Sequence, residues 1–314
     1  MTLLLLPLFI GLVLIYSFQE NRNPLLIAIP LFLLAANLLA ASITSAQFRH
    51  QLPLLMFHLS LLLLVLLTAI GRLSALEGET EITVGEEFSA RGSSVRSGPL
   101  HRSALDSVKF MLNEFTIQYE PDRDGLSRGA THCRVSWVNN RGETMQGTIG
   151  DHLPLILHGY RFYTTHNKGF APVFLWQPKR GKAQQGSIHL PSYPANEHTQ
   201  ALSWSLPGTD HHLWTQLQFD EVILDLNKSS SFHPPKHHQL IVRVGESRSE
   251  LVPGMAIELT DGRLIYTELR SWMGFKISSD WTLPWLIAAG IIAAVSLGWH
   301  YWRRFSAVPW SNAS

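Results

Sequence analysis

One cysteine, Cys133, stands in a chain of 314 residues. A single thiol closes no internal disulfide, and the chain has neither a CxxC nor a CxxCH motif. Dithiol redox chemistry and covalent haem attachment to this chain are therefore excluded. Charge is scarce as well: Asp, Glu, Lys and Arg make up 16% of the residues, against about 25% in soluble proteins. The net charge of +1 lacks the basic excess of a nucleic-acid-binding protein. No GxSxG, no HExxH, no P-loop and no GxGxxG after a strand occurs, and the acidic residues are scattered rather than paired. The sequence does not read as a free-standing hydrolase or nucleotide enzyme.

What the chain does have is long apolar runs. A helix needs about 20 apolar residues to cross the bilayer core, and four stretches qualify: 2–17, 24–42, 53–71 and 281–304. The first lacks a basic leader and is followed at once by a second apolar stretch, so it reads as a retained span rather than a cleaved signal. The last is flanked by Trp281 and Trp285 at one end and by Trp299, Tyr301 and Trp302 at the other, as amphipathic rings at both headgroup levels would be. Arg303 and Arg304 follow it directly, which by the positive-inside rule places the tail 305–314 in the cytoplasm. Four spans then put the N-terminus there too and residues 72–280 outside. Arg22 and Arg72 run against this bias.

Residues 72–280 read as β-rich. Strands are expected over 108–119, 133–138, 143–149, 161–165, 173–176, 213–226, 239–244, 256–259 and 263–269, with turns at Asn139-Asn140-Arg141-Gly142, Lys179-Arg180-Gly181 and Asp261-Gly262. Many short strands suggest a sandwich or an open barrel. Segments 89–107 and 183–200 are polar and weakly patterned, as linkers are. The fold expected is thus a membrane protein of four transmembrane helices, with a large β-rich extracytoplasmic domain between the third and fourth.

Fifteen histidines are many for this length. His58 lies about five residues into the third span, roughly 8 Å below its start at 1.5 Å per residue. An ionisable side chain in a membrane helix is costly and marks either function or an interhelical hydrogen bond; neutral imidazole is also a good axial ligand of haem iron. His300, near the cytoplasmic end of the last span, is open to two readings: a belt residue, or a second ligand at a depth similar to His58. The pairs His211-His212 and His237-His238 chelate poorly if they lie on strands, where neighbours face opposite ways. The segment from His233 to His238 reads as a loop that could bind a metal.

The run FRHQLPLLMFHLSLLLLVLLTAIG from Phe48, followed by LEGETEITVGEEF, resembles the ResB (CcsB) family of System II cytochrome c biogenesis. NEFTIQYEPD from Asn113, IGDHLPLILHGYRFYTTHNKGFAPVFLW from Ile149 and LRSWMGFKISSDWTLPWLIAAG from Leu269 extend the resemblance over most of the chain after Gln47. The resemblance implies a multi-pass protein of the cytoplasmic (inner) membrane whose domain lies on the periplasmic side. It implies a ResC/CcsA-type partner carrying a tryptophan-rich motif that this sequence lacks, and apocytochrome c as the protein served. It implies haem b as a transiently bound cargo with His58 as axial ligand, and an accessory subunit of a haem lyase rather than an enzyme alone. His300 has no counterpart in it. The alternative from a different class is a membrane-anchored extracytoplasmic metal-binding or scaffold protein.

Overall fold

The computed structural model describes residues 11–12, 15, 23–46, 50–123, 125–194 and 200–306. The expected first span, 2–17, lies outside the described residues apart from Gly11, Leu12 and Ile15. Among those described, three helices are long and apolar enough to cross a membrane: α1 (Leu25–Thr44), α2 (Leu52–Ser74) and α3 (Leu283–Ser306). The chain divides into two compact units. One holds these helices with residues 95–103; the other comprises 78–94 and 104–277 and is β-rich.

In the helical unit, the Asn23 side-chain oxygen accepts from the Leu25 N–H at 3.0 Å and opens α1. Pro53 stands in the first turn of α2, where a missing N–H costs nothing. Ile27 and Leu31 of α1 pack against Ala69 and Val65 of α2. The pairing of early α1 with late α2 makes the two an antiparallel hairpin. Small residues line the buried faces: Ala28, Ala35 and Ser42 on α1, Ala289, Ala293 and Ser296 on α3. Small side chains let helix backbones approach closely where lipid offers no hydrophobic drive. Ile287, Ile291 and Val295 remain exposed on α3, the face fitted to hydrocarbon.

The sequence places the end of the third span at Gly71; α2 continues through Arg72 to Ser74. Its last carbonyls would be orphans, and part of the expected linker satisfies them. Leu100 N–H donates to Leu73 O at 2.8 Å, His101 Nδ1–H to Ser74 O at 2.8 Å, and Gly98 N–H to Ala75 O at 2.9 Å. A Cβ on Gly98 would stand 2.1 Å from Leu73 O, so only glycine allows this strap.

The strands form three sheets. The largest has the order β2 (Ser94–Ser97), β1 (Leu76–Thr83), β15 (Gly262–Ser279), β7 (Tyr160–Pro178), β6 (Leu155–Leu157), with β14 (Ala256–Leu259) on β15 and β8 (Gln184–Ser187) on β7. The second has the order β13 (Ser247–Leu251), β12 (Gln239–Val244), β10 (His212–Gln218), β9 (Ala201–Ser205). The third has the order β11 (Ser230–Ser231), β3 (Met111–Asp122), β4 (Gly125–Val138), β5 (Thr144–Gly150). Phe88, Phe110, Phe162 and Phe275 form one aromatic core, with centroids 4.9–6.4 Å apart. Phe115, Phe170, Tyr193 and Phe232 form a second.

Three expectations are corrected by this arrangement. The short strands expected over 161–165 and 173–176 are parts of one 19-residue strand, β7. Asn167-Lys168-Gly169 resembles a turn in sequence, but Gly169 keeps its extended path because the Trp272 indole lies where a Cβ would be. The strand expected over 213–226 ends at Gln218. The hairpin at Asp261-Gly262 is present one residue earlier: Leu259 pairs with Gly262, leaving Thr260-Asp261 as the turn. Gly262 is needed for closeness rather than for the turn, since a Cβ there would be 2.3 Å from Gln177 O.

Candidate functional site

His58 is half-buried on α2. A carbonyl can only accept, so the 2.8 Å contact between its Nδ1 and Leu54 O is a donated N–H. In the neutral ring the lone pair then resides on Nε2. A backbone carbonyl holding the far ring nitrogen is the arrangement that orients metal-ligating histidines, and the donor set fits a haem iron on this count. The Phe57 ring meets the imidazole edge-on, with centroids 5.5 Å apart. Two residues on, Ser60 is buried and returns its hydroxyl to Phe57 O at 2.8 Å, so no foreign polar group is needed to satisfy it.

His300 is half-buried on α3 and edge-on to Tyr301 at 5.5 Å. Its depth differs from that of His58. A Cβ on Gly71 would be 2.7 Å from Thr282 Oγ1, which sets these two residues at one level of the antiparallel pair. Thirteen residues separate His58 from Gly71 and eighteen separate Thr282 from His300. At 1.5 Å per residue these are about 20 Å and about 27 Å along the helices. The two imidazoles are therefore staggered by more than a helical turn and do not face each other at one level.

The β-rich unit buries a polar cluster with no local signature in the sequence. Lys168 on β7 is 4% exposed. Its Nζ lies over the rings of Tyr119, at 5.0 Å, and Phe232, at 5.8 Å. Burial, then the nearby Arg128 charge, pull its pKa down to about 8. Arg128 donates to Thr131 Oγ1, to Thr165 O at 3.1 Å and to His166 Nδ1 at 2.6 Å, and lies 3.6 Å from Asp151. Against the upward push of burial, the Thr131 N–H, the Thr164 and Thr131 hydroxyls and Arg128 hold the Asp151 carboxyl below its usual range. The Tyr119 hydroxyl is buried without a hydrogen-bond partner, and burial raises its pKa although Arg128 opposes this.

Elsewhere, Glu81 accepts from His189 Nδ1–H at 2.8 Å, and His189 Nε2 lies 2.9 Å from Thr83 Oγ1. This hydroxyl–imidazole–carboxylate chain has the order of a nucleophilic triad, but Thr83 is fully buried and its hydroxyl is out of a substrate's reach. The paired histidines diverge. His211 turns to Thr260 and His212 to Ser205; His238 meets the Tyr266 hydroxyl at 2.7 Å. His233 meets Glu221 at 3.0 Å. Among the described residues, no three His, Cys, Asp or Glu side chains are grouped to hold a metal ion.

A family model described as the ResB-like family matches residues 49–305. The chain belongs to the ResB-like family. None of the curated proteins compared matches it. Among solved structures, "Cytochrome c Heme Lyase CcmF" is similar at a TM-score of 0.29 and 13% identity, over 96% of this chain and 34% of that one. The chain thus spans about a third of that structure's length, and at this score the likeness carries no argument.

In this ResB-like chain the lone cysteine is a core residue. Cys133 on β4 is fully buried between Phe115 of β3 and Ile149 of β5. Burial, and next the Asp151 charge, push its thiol up to about 12 against the pull of Arg128. It therefore stays a thiol, not the thiolate that redox exchange requires. Cys133→Ala is expected to retain full activity of the chain in a cytochrome c maturation assay. It should cost the β-rich unit only about 1 kcal/mol through the lost sulfur contacts. Loss of maturation in a variant that accumulates normally would show that the thiol has a chemical role.

Proposed function

We propose that this ResB-like protein is a membrane subunit of the System II cytochrome c synthase. In this reading it helps haem b cross the cytoplasmic membrane and presents it for attachment to apocytochrome c, together with a ResC/CcsA-type partner. The observation that carries the reading is His58, an imidazole in a Leu-rich membrane helix whose Nδ1–H is held by Leu54 O within the span matched by the family model. Haem is cargo here, and its iron would supply an open axial position. The chain's own part is to orient Nε2 of His58 toward it and to offer an apolar, small-residue helix surface against which a flat macrocycle can lie. The orientation that goes with this places Arg303 and Arg304 in the cytoplasm and the β-rich unit outside. His58 then lies near the cytoplasmic side, where haem arrives. The attachment chemistry is assigned to the partner, since the one cysteine of this chain, Cys133, is buried.

The test is co-purification of the full chain with its partner from cells making haem. A bound haem with the absorption of a histidine-ligated iron is expected, and deletion of the chain should stop maturation of c-type cytochromes. A haem-free complex, combined with normal maturation in the deletion strain, would overturn the reading.

A further inference from the structure

We propose that the β-rich unit carries a second iron-porphyrin site of its own, a groove in which His158 is the axial imidazole and Lys109 and Arg141 receive the propionates. The inference rests on haem being the cargo of this chain. The groove has a volume of about 640 Å³, within the range of about 300–1,000 Å³ usual for small-molecule sites.

His158 is placed there by an unusual turn. Leu157 pairs with Tyr160 across β6 and β7, so His158-Gly159 is a two-residue hairpin turn with both φ positive, 49° and 84°. Such turns favour Asn, Asp or Gly at the first position. His158 is the one non-glycine residue with positive φ among the described residues, and a strained residue at the lip of a groove points to a use. Its tautomer follows from its neighbour. The single proton of the Ser107 hydroxyl goes to Ala104 O at 2.6 Å. Toward His158 Nδ1, 3.4 Å away, that oxygen can only accept. Nδ1 therefore carries the hydrogen and Nε2 the lone pair. As at His58, the far ring nitrogen is held by an oxygen.

The walls suit a flat apolar macrocycle. The Trp137 ring crosses onto β5, about 3.0 Å from where a Gly147 Cβ would be. Val138 is 66% exposed and Ile156 57% exposed, apolar surface left in water unless something covers it. Lys109 and Arg141 stand at the groove, and neither makes an ion pair among the described residues; Glu87 is the one acid on its wall. An apolar wall, one oriented imidazole and two unpaired cations together match a planar, iron-bearing dianion. The groove beside Arg128, with His132, His152 and His166 on its lining, is larger, but its cation is already opposed by Asp151.

The experiment uses the full chain carrying His58→Ala, which removes the membrane ligand, titrated with ferric haem and, separately, with iron-free protoporphyrin. Haem should still bind with a histidine-ligated spectrum. Adding His158→Asn, which suits the turn better than histidine does, should abolish that spectrum and weaken haem binding by about tenfold or more. It should leave iron-free porphyrin binding unchanged. Lys109→Glu with Arg141→Glu should weaken both ligands. Haem binding of equal affinity and spectrum with and without His158→Asn would mean adsorption to an apolar surface and would overturn the proposal. So would the absence of haem from the His58→Ala chain when the unaltered chain binds it, a result that leaves the role of the membrane site standing.

Discussion

Replacing His58 with Ala is expected to abolish maturation of c-type cytochromes while leaving the chain folded and inserted. The second half of that statement makes the first interpretable. Alanine is the strongest helix former and histidine a middling one, so α2 loses nothing in propensity. Removing a polar ring from an apolar span also lowers the cost of insertion. The hydrogen bond that disappears, Nδ1–H to Leu54 O, leaves a carbonyl that still has its helical partner in the N–H four residues on. Leu54 O is thus not orphaned, and loss of this hydrogen bond alone predicts a silent or mildly stabilising substitution. A ligand role predicts the opposite at the level of function: haem in the co-purified complex loses an axial imidazole, its absorption bands shift or vanish, and cytochrome maturation fails. His58→Gly costs the helix about 1 kcal/mol relative to Ala but opens room for a free imidazole. Imidazole in the medium should restore part of the maturation in that variant and none in the Ala variant, where the methyl group narrows the space. A normal haem spectrum and normal maturation in a well-expressed Ala variant would make His58 a packing residue.

Helices α1, α2 and α3 were legible because their signal is local: a run of apolar residues has one reading, and only the ends shift. Even the shift at α2 has a local cause, since the carbonyls of Leu73, Ser74 and Ala75 find donors in residues 98–101, a partner more than twenty residues away that no window over the helix includes. In the β-rich unit, turns with both a loop residue and a positive-φ glycine were visible, as at Gly142 and Gly181. The two-residue turn at His158-Gly159 was not, because histidine stands where Asn-Gly would have announced it. The length of β7 was not legible, because the extended path through Gly169 is set by Trp272, a residue about a hundred positions on. Hydropathy alone singles out His58 as an imidazole in a Leu-rich span. The stagger of His300 was not, since depth depends on the level at which α2 and α3 meet, and that level is set by Gly71 against Thr282. Least legible was the Lys168 cluster, assembled from β3, β4 and β7 and the loop bearing Asp151.

Lys168→Met is expected to raise the stability of the β-rich unit at neutral pH and to lose that advantage in alkaline solution. The ammonium of Lys168 is nine-tenths buried over Tyr119 and Phe232, with the Arg128 guanidinium as a like charge nearby. Burial in the first place, and Arg128 in the second, lower its pKa to about 8 from the 10.5 of the free side chain. A base whose folded pKa is depressed penalises the folded state below that value, where it must be carried charged. As pH rises from about 8 to about 10.5, the folded chain has released the proton while the unfolded chain still binds it, and stability climbs with pH. The climb is on the order of 1–3 kcal/mol once partial solvent screening is allowed for. Methionine has similar length, no charge, and a sulfur that packs well on aromatic rings, so it removes the penalty at the small loss of the cation–π contacts. At pH 7 the variant should unfold roughly 3–8 °C higher, followed by tryptophan fluorescence of the full chain in detergent. By pH 10 the two proteins should converge. Other groups titrate in the same window with the opposite sign: the Cys133 thiol, pushed up to about 12, and the buried Tyr119 and Tyr266 hydroxyls, also raised by burial, each cost stability as the unfolded chain ionises first. Cys133 and Tyr266 are common to both proteins and cancel in the difference, which therefore reports Lys168 together with the Tyr119 ring it covers. A variant less stable than the parent at pH 7, or a difference that does not shrink between pH 8 and 10, would mean that the ammonium is stabilised in place, by the aromatic faces or by an anion bound beside it.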